Sequence, residues 1–593
     1  MKRTTGIGMA VVLALAAIPR AQAGSAAWNV DGSGNWSLNG NWDPATGYPN
    51  GAADNATLGS KITSDATITL TENIAFNTLT FDDNNRYTIA GAYTLTPNGT
   101  TGAIVHNNTG VAVIEANLDF GSVARTLTGT STATQTWSGV VSGSQYISKN
   151  SSGTLALSGS GANTHSSRFY VNVGTVVLNK SAGVQALGSG GVYVGQSVGP
   201  DTLRWEADNQ VADAGGIQVN SSGVLDLNGH TEDIGTLNIL NGRVDIGAGG
   251  MLGITGIGSL TQGGVITNGL LSLRGAQRNV TVLTGHTLTI ASVVTNGTLQ
   301  KQNAGTLVLT AANGHTATYL SDAGVLAVTH DNALGTDEFR FTSTDGGVLE
   351  AREGARQFPN GLRFSTGCTR AVFGGTNDMT FAGTLNVDLD TTAVVSNSVT
   401  TFAGNIGSAL DTHVLTKAGP GTLALTGSAI EYRGSLNVTE GTLRFDGAFS
   451  DSRPGVYTIA DGGTLSGTGV LWRTTVIEDG GTLAPGSPVG ALTVTNKSLT
   501  LNPGSVLDFE LGTTSDRVDV YGGLTLDGTL NVSNTGGLES GIYRLFNYTG
   551  TLTNNTLALG TVPEHFLFAV ETDVPGQINL RVRELGGTLV SFR

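Results

Sequence analysis

The chain has 593 residues, 87 of them Gly and only one a Cys, and 45 acidic against 30 basic side chains give a formal charge of −15 at neutral pH. A charged fraction of 13%, about half the usual share, in a chain rich in Val, Leu and Ile excludes disorder. The acidic balance argues against nucleic acid or anionic lipid as a partner, and a lone Cys368 excludes an internal disulfide.

At the N-terminus, Lys2 and Arg3, an apolar run from about Gly6 to Ile18, and Ala21-Gln22-Ala23 read as a secretory signal over residues 1–23, cleaved after Ala23. The run is shorter than the roughly 18–20 apolar residues a membrane helix needs, and it ends at Pro19-Arg20. Cleavage would remove Lys2, Arg3 and Arg20, so the 30 basic residues fall to 27 against 45 acidic ones. No later stretch is long and apolar enough for a transmembrane helix, so the mature chain is expected to carry none.

Residues 24–135 open with Trp28, Trp36 and Trp42, half of the six Trp of the chain within fifteen residues. Bulky cover for the open face of a first coil is the expected role, an N-terminal cap. The alternative is a platform on which sugar rings stack. The adjacent Asp82 and Asp83 would point to opposite faces of a strand, so they mark a turn running to Asn85 rather than an acid pair.

Residues 136–450 hold three copies of one unit. The first runs Lys149, Gly153, Thr154, Leu155, then Gly174 and Thr175. The second runs Lys301, Gly305, Thr306, Leu307, then Gly324 and Val325; the third runs Lys417, Gly421, Thr422, Leu423, then Gly441 and Thr442. The paired glycines are about twenty residues apart, too close for a globular domain and right for one coil of a solenoid. Each Gly supplies a corner, and the alternation that follows reads as a strand with Leu423 inward and Thr422 outward. Gly229-His230-Thr231, Gly285-His286-Thr287 and Gly314-His315-Thr316 repeat as a tripeptide; a His repeated in this way belongs to a repeated corner, not to one active site. Cys368, flanked by Gly367 and Thr369 with no base nearby, reads as a half-buried corner residue rather than a reactive thiol.

Residues 451–593 keep the same grammar in Gly463-Thr464-Leu465, Gly481-Thr482-Leu483 and Gly528-Thr529-Leu530, and read as C-terminal β-helix coils. Asp516 and Asp519 flank Arg517 at a strand start and read as a solvated charge patch, with a cation site as the alternative. The expected fold is all-β, a single right-handed parallel β-helix (β-solenoid) with the Trp-rich cap; the hand follows the usual hand of parallel crossovers.

The pattern from Leu415 to Leu443, with Lys417, Gly419, Gly421, Tyr432, Gly434 and Gly441, resembles the autotransporter-associated β-strand repeat of bacterial passenger proteins. Ala186-Leu187-Gly188 and Asn332-Ala333-Leu334-Gly335 resemble the tail of that unit. Gly480–Gly486 and Ser515–Val520 resemble the C-terminal part of autotransporter passengers, and the Trp-rich opening resembles that of large exported proteins of planctomycetes and verrucomicrobia. The resemblance implies an exported chain, extracellular or on the outer surface of a Gram-negative-type bacterium, and says little about activity. The last hundred residues keep the Gly, Thr, Leu grammar and not the long alternating strands with aromatic girdles of a barrel, and Glu584 to Arg593 does not resemble a Pro-Glu-Pro sorting tail, so the chain is expected to be freely secreted or to lack its anchor.

No helix-borne metal motif, nucleotide loop, calcium repeat or nucleophile elbow occurs. No catalytic residue, cofactor or metal is therefore expected. The functional expectation is a non-catalytic structural or adhesive scaffold that contacts extracellular glycans, matrix or other cells. The alternative is a polysaccharide lyase or hydrolase on the same fold, its carboxylates clustered on one outer face.

Overall fold

The computed structural model describes residues 24–586 apart from 100–102, 197–198, 345, 409–411, 429–430 and 449–454; the signal-like segment 1–23 lies outside them. Among the described residues the fold is all-β, short strands and turns with one three-residue 3-10 turn at Asn39–Asn41. The chain divides into two compact units, Met1–Gly191 and Val192–Arg593, a division that does not coincide with the compositional boundaries near residues 135 and 450. In each unit parallel strands stack as a β-solenoid.

Period-two alternation builds the stacks, because successive side chains of a strand point to opposite faces. In the first unit Asn55–Leu58, Thr78–Phe81, Ala103–His106, Arg125–Thr128, Ile147–Lys149 and Phe169–Val171 pair in parallel. Ala56, Leu79, Ile104, Leu127, Lys149 and Val171 thereby fall in one buried column. In the second unit Leu423, Leu443, Leu465, Leu483, Leu507 and Leu530 form an inward ladder. Thr422, Thr442, Thr464 and Thr482 run beside it on the outer face, so the expected facing of Leu423 and Thr422 is the observed one.

The column in the first unit contains a lysine where an aliphatic residue would fit, and the same holds for the other two repeats. Lys301 stands between Val280 and Leu320, and Lys417 between Ala393 and Val438, each on an inward rung and each fully buried. A buried ammonium must be satisfied by acceptors, and each of these lysines bridges two turns. Lys149 Nζ donates to the carbonyls of Ser151 and Val173, the latter at 2.8 Å. Lys301 Nζ donates to those of Asn303 and Ala323, and Lys417 Nζ to those of Gly419 at 2.6 Å and Glu440 at 2.8 Å. The second acceptor always precedes the second glycine of the repeat, Gly174, Gly324 or Gly441, whose positive φ of 76°, 102° or 66° turns the chain there. The first glycines act differently: a Cβ at Gly153, Gly305 or Gly421 would overlap the carbonyl oxygens of Ala133, Leu283 and Asn397 in the preceding coil. Burial pulls the ammonium groups of Lys301 and Lys417 down to about 8, with Asp322 and Glu440 pulling the other way.

The Ala-Leu-Gly tails are tied down by a second buried device. Asn163 accepts from the Val141 amide and donates to the Ala186 carbonyl, both at 2.8 Å, and Asn313 does the same between Val294 and Ala333. In the third repeat the buried Tyr432 links neighbouring coils in another way, its hydroxyl donating to the His413 carbonyl at 2.9 Å.

The C-terminal grammar does not continue to the end. Leu552–Asn554 and Ala558–Leu559 still pair in parallel with Leu524–Leu526 and Thr529–Asn534. Gly541–Tyr548, Gln577–Glu584 and Phe566–Glu571, however, form an antiparallel set. The expectation of parallel coils throughout residues 451–593 is corrected here. A short connection through Val574 and Gly576 returns the chain on itself, and so short a link permits only antiparallel pairing.

Candidate functional site

The described surface of the second unit carries a roomy concavity with convergent polar groups. Thr482–Pro485, Val506–Leu511 and Thr529–Asn534 lie side by side in parallel, pairing Leu483 with Leu507, Asp508 with Asn531, and Glu510 with Ser533. Alternation sends Phe509 and Val532 toward the core and leaves Asp508, Glu510, Asn531 and Ser533 on the outer face. At Pro485 the chain departs from the sheet through Gly486, at a φ of 97°, and a cis Ser487-Pro488 peptide. Loop and sheet enclose about 570 Å³, bounded on the loop side by Pro485, Ser487 and Pro488 and lined by Asp508, Glu510, Asp516 and Asn531.

Asp516 builds this groove. Its Oδ1 accepts from the Gly490 amide at 2.9 Å and its Oδ2 from the Glu510 amide at 2.7 Å, so one carboxylate clamps the Pro-rich loop to the central strand. Only 1% of Asp516 is exposed. Burial pushes its carboxyl up to about 6, the two amide bonds pull it down, and the charge of Glu510 raises it again. The expected solvated patch is therefore half wrong: Arg517 Nε does pair with Asp519 Oδ1 at 2.9 Å on the surface, but Asp516 points inward because the loop amides need an acceptor. Asp508 Oδ1 accepts from Asn531 Nδ2 at 2.8 Å. Glu510 Oε2 is buried with no hydrogen-bond partner among the described residues. No cluster of three His, Cys, Asp or Glu side chains suited to a metal occurs among the described residues.

The other sequence candidates do not converge on this groove. Trp28, Trp36 and Trp42 pack edge to face against one another, with centroids 5.3 and 4.8 Å apart, and are 2%, 0% and 0% exposed. Their indole nitrogens donate to the carbonyls of Gly32, Pro49 and Trp36. No ring face is open to a sugar. The His tripeptide is not one repeated corner. His230 and His286 donate their amides to the carbonyls of Leu227 and Leu283 in matching turns with Gly229 and Gly285 at positive φ. His315 is buried instead, 2.7 Å from the Thr318 hydroxyl, with its imidazole pulled down to about 4 by burial. Cys368 is wholly rather than half buried, and burial pushes its thiol up to about 12. Asp83 Oδ1 accepts from the Asn85 amide at 2.7 Å, the turn expected there.

A regularity that the sequence reading passed over explains many surface charges. Arg204 with Glu206, Arg243 with Asp245, Arg352 with Glu350, Arg444 with Asp446 and Arg517 with Asp519 pair two positions apart, within a strand or across its end. Such arginines are neutralised locally, whereas Asp508 and Glu510 have no cation beside them among the described ion pairs.

Comparison with known proteins agrees with the repeat geometry. Residues 147–178, 299–328 and 415–445 match the family described as passenger-associated-transport-repeat. A stretch of 218 residues, 34% of this chain, is 38% identical to the adhesin BmaC autotransporter of Brucella suis biovar 1 (strain 1330), and this match covers 6% of that protein. Each family match encloses one lysine-bridged pair of turns, from Lys149 to Gly174, Lys301 to Gly324 and Lys417 to Gly441; the chain carries three passenger-associated-transport repeats and is similar in them to autotransporter passengers.

Proposed function

We propose that this chain is an exported, surface-displayed adhesive scaffold without catalytic activity, presenting solenoid faces to matrix, glycans or other cells. The observation that carries this reading is the 38% identity to an adhesin autotransporter over a third of the chain. The outer faces suit the role, since in-register columns such as Thr422, Thr442, Thr464 and Thr482 repeat one contact coil after coil and many weak contacts sum to avidity. Export is supported by the signal-like segment and by the autotransporter relative. No helix among the described residues is long and apolar enough to cross a membrane. The test is adhesion of beads coated with the purified protein to matrix-, glycan- and cell-coated surfaces. Saturable adhesion that is lost on unfolding is expected, and its absence on all three surfaces would end the proposal.

The competing reading, a carbohydrate-active enzyme, draws its support from the carboxylates of the groove, Asp508 and Glu510. Asp516 serves it poorly, because both of its oxygens are engaged by backbone amides. Release of reducing ends or unsaturated uronates from pectin, alginate, glucan or chitin, lost in Glu510→Gln, would establish the enzyme in place of the scaffold.

A further inference from the structure

Within the groove, polar and apolar features are arranged along one direction of chemistry. Its lining joins the exposed ring of Pro488 and the loop from Pro485 to three carboxylates, the Asn531 amide and the hydroxyls of Ser466, Ser487, Ser533 and Thr561. Asn531 is already engaged, its Nδ2 with Asp508 and its Oδ1 with the Thr561 amide. What remains unmatched is negative charge: Asp508 and Glu510 face the cavity without a cation, beside Asp516, and one oxygen of Glu510 is buried with no donor. A buried carboxylate oxygen without a donor is costly, and a charged donor relieves that cost most.

We propose that this groove receives an arginine or lysine side chain from an extended basic segment of a partner protein. The methylene stem of such a side chain can lie along the exposed Pro488 ring while its head reaches the carboxylates of Asp508 and Glu510. A volume of about 570 Å³ lies within the ordinary range of ligand pockets, enough for one long side chain and its flanking backbone. A sugar fits less well, since Phe509, the sole aromatic residue of the lining, is 1% exposed and offers no ring face for stacking. Burial is the main cause that raises the Asp516 carboxyl, and the charge of Glu510 adds to it in smaller measure. This inference rests on the adhesive reading, because it names the chemistry of one of the scaffold's contacts.

The experiment is fluorescence anisotropy of a labelled nonapeptide with three arginines against the full chain, beside the same peptide with citrulline in place of arginine. Arginine should bind at least tenfold more tightly than citrulline, which keeps the shape and loses the charge. Glu510→Gln and, separately, Asp508→Asn should each weaken the arginine peptide about tenfold. Asp573→Asn, which removes one exposed carboxylate outside the groove, should change it less than twofold. Equal binding of citrulline, or equal losses in Asp573→Asn and Glu510→Gln, would overturn the proposal by showing that general attraction to an acidic protein accounts for the binding. A chitosan oligomer that displaces the peptide at lower concentration than unlabelled peptide would overturn the choice of a protein partner. Bead adhesion is measured on the same variants: peptide binding that persists without any bead adhesion removes the scaffold reading alone, and bead adhesion that persists without groove-dependent peptide binding removes this inference alone.

Discussion

Lys417 Nζ lies 2.8 Å from the carbonyl oxygen of Glu440, one coil further along the chain, and so ties two successive turns together from inside the stack. Lys149 with Val173 and Lys301 with Ala323 repeat the contact. A lysine on an inward rung costs desolvation, and carbonyls that would otherwise face the core without donors offset that cost.

Lys417→Met keeps an unbranched side chain one atom shorter and removes the donor. The carbonyls of Gly419 and Glu440 lose their shared partner, and the substitution is expected to destabilise the local coils by ~2–4 kcal/mol, measured as a shift in the urea midpoint. A midpoint equal to that of the parent chain would show that the bridge contributes nothing.

Leu423→Asp places an unpaired charge on an inward ladder position that is 0% exposed and should cost several kcal/mol, unfolding at least the adjoining coils. Thr422→Asp, on the outer face, should cost less than about 1 kcal/mol. Circular dichroism melts of the two variants distinguish them, and similar losses would contradict the facing of the strand.

Glu232 makes stability depend on pH. Its Oε2 accepts from Trp205 Nε1 at 2.7 Å and from the amides of Gln210 and Val211, and burial pushes the carboxyl from 4.5 up to about 7. Between these values the folded chain holds a proton that the unfolded chain has released. The associated stabilisation is therefore fully present below about pH 4.5 and is lost as the pH rises through about 7. The span corresponds to roughly 3 kcal/mol. Thermal melts from pH 5 to 8 should show this decline, and Glu232→Gln, which keeps an acceptor for Trp205, should flatten it; an unchanged slope in the variant would place the pH dependence elsewhere.

Trp42→Ala removes the central ring of the N-terminal cluster, which touches both Trp28 and Trp36. A loss of ~3–5 kcal/mol is expected for the first unit, read from limited proteolysis within residues 24–191. Bead adhesion to glycans should follow the folded fraction and show no separate loss, since the rings are buried.

The repeats and their architecture were legible in the sequence because they are local: the Gly-Thr-Leu corner and strand recur at coil spacing, and alternation alone assigns Leu423 inward and Thr422 outward. The lysines were visible as repeated letters, but an inward lysine contradicts the binary pattern, and its carbonyl acceptors belong partly to the following coil. Only stacking brings Glu440 to Lys417. The groove followed the same logic. Gly480–Gly486 and Ser515–Val520 each stood out as a motif, yet nothing along the chain indicates that Asp516 turns inward to hold Gly490 and Glu510. The sequence by itself determined the coil, through residue type and period; the tertiary structure alone decided which polar groups are buried, because burial depends on neighbours about one coil away, and register sets those neighbours.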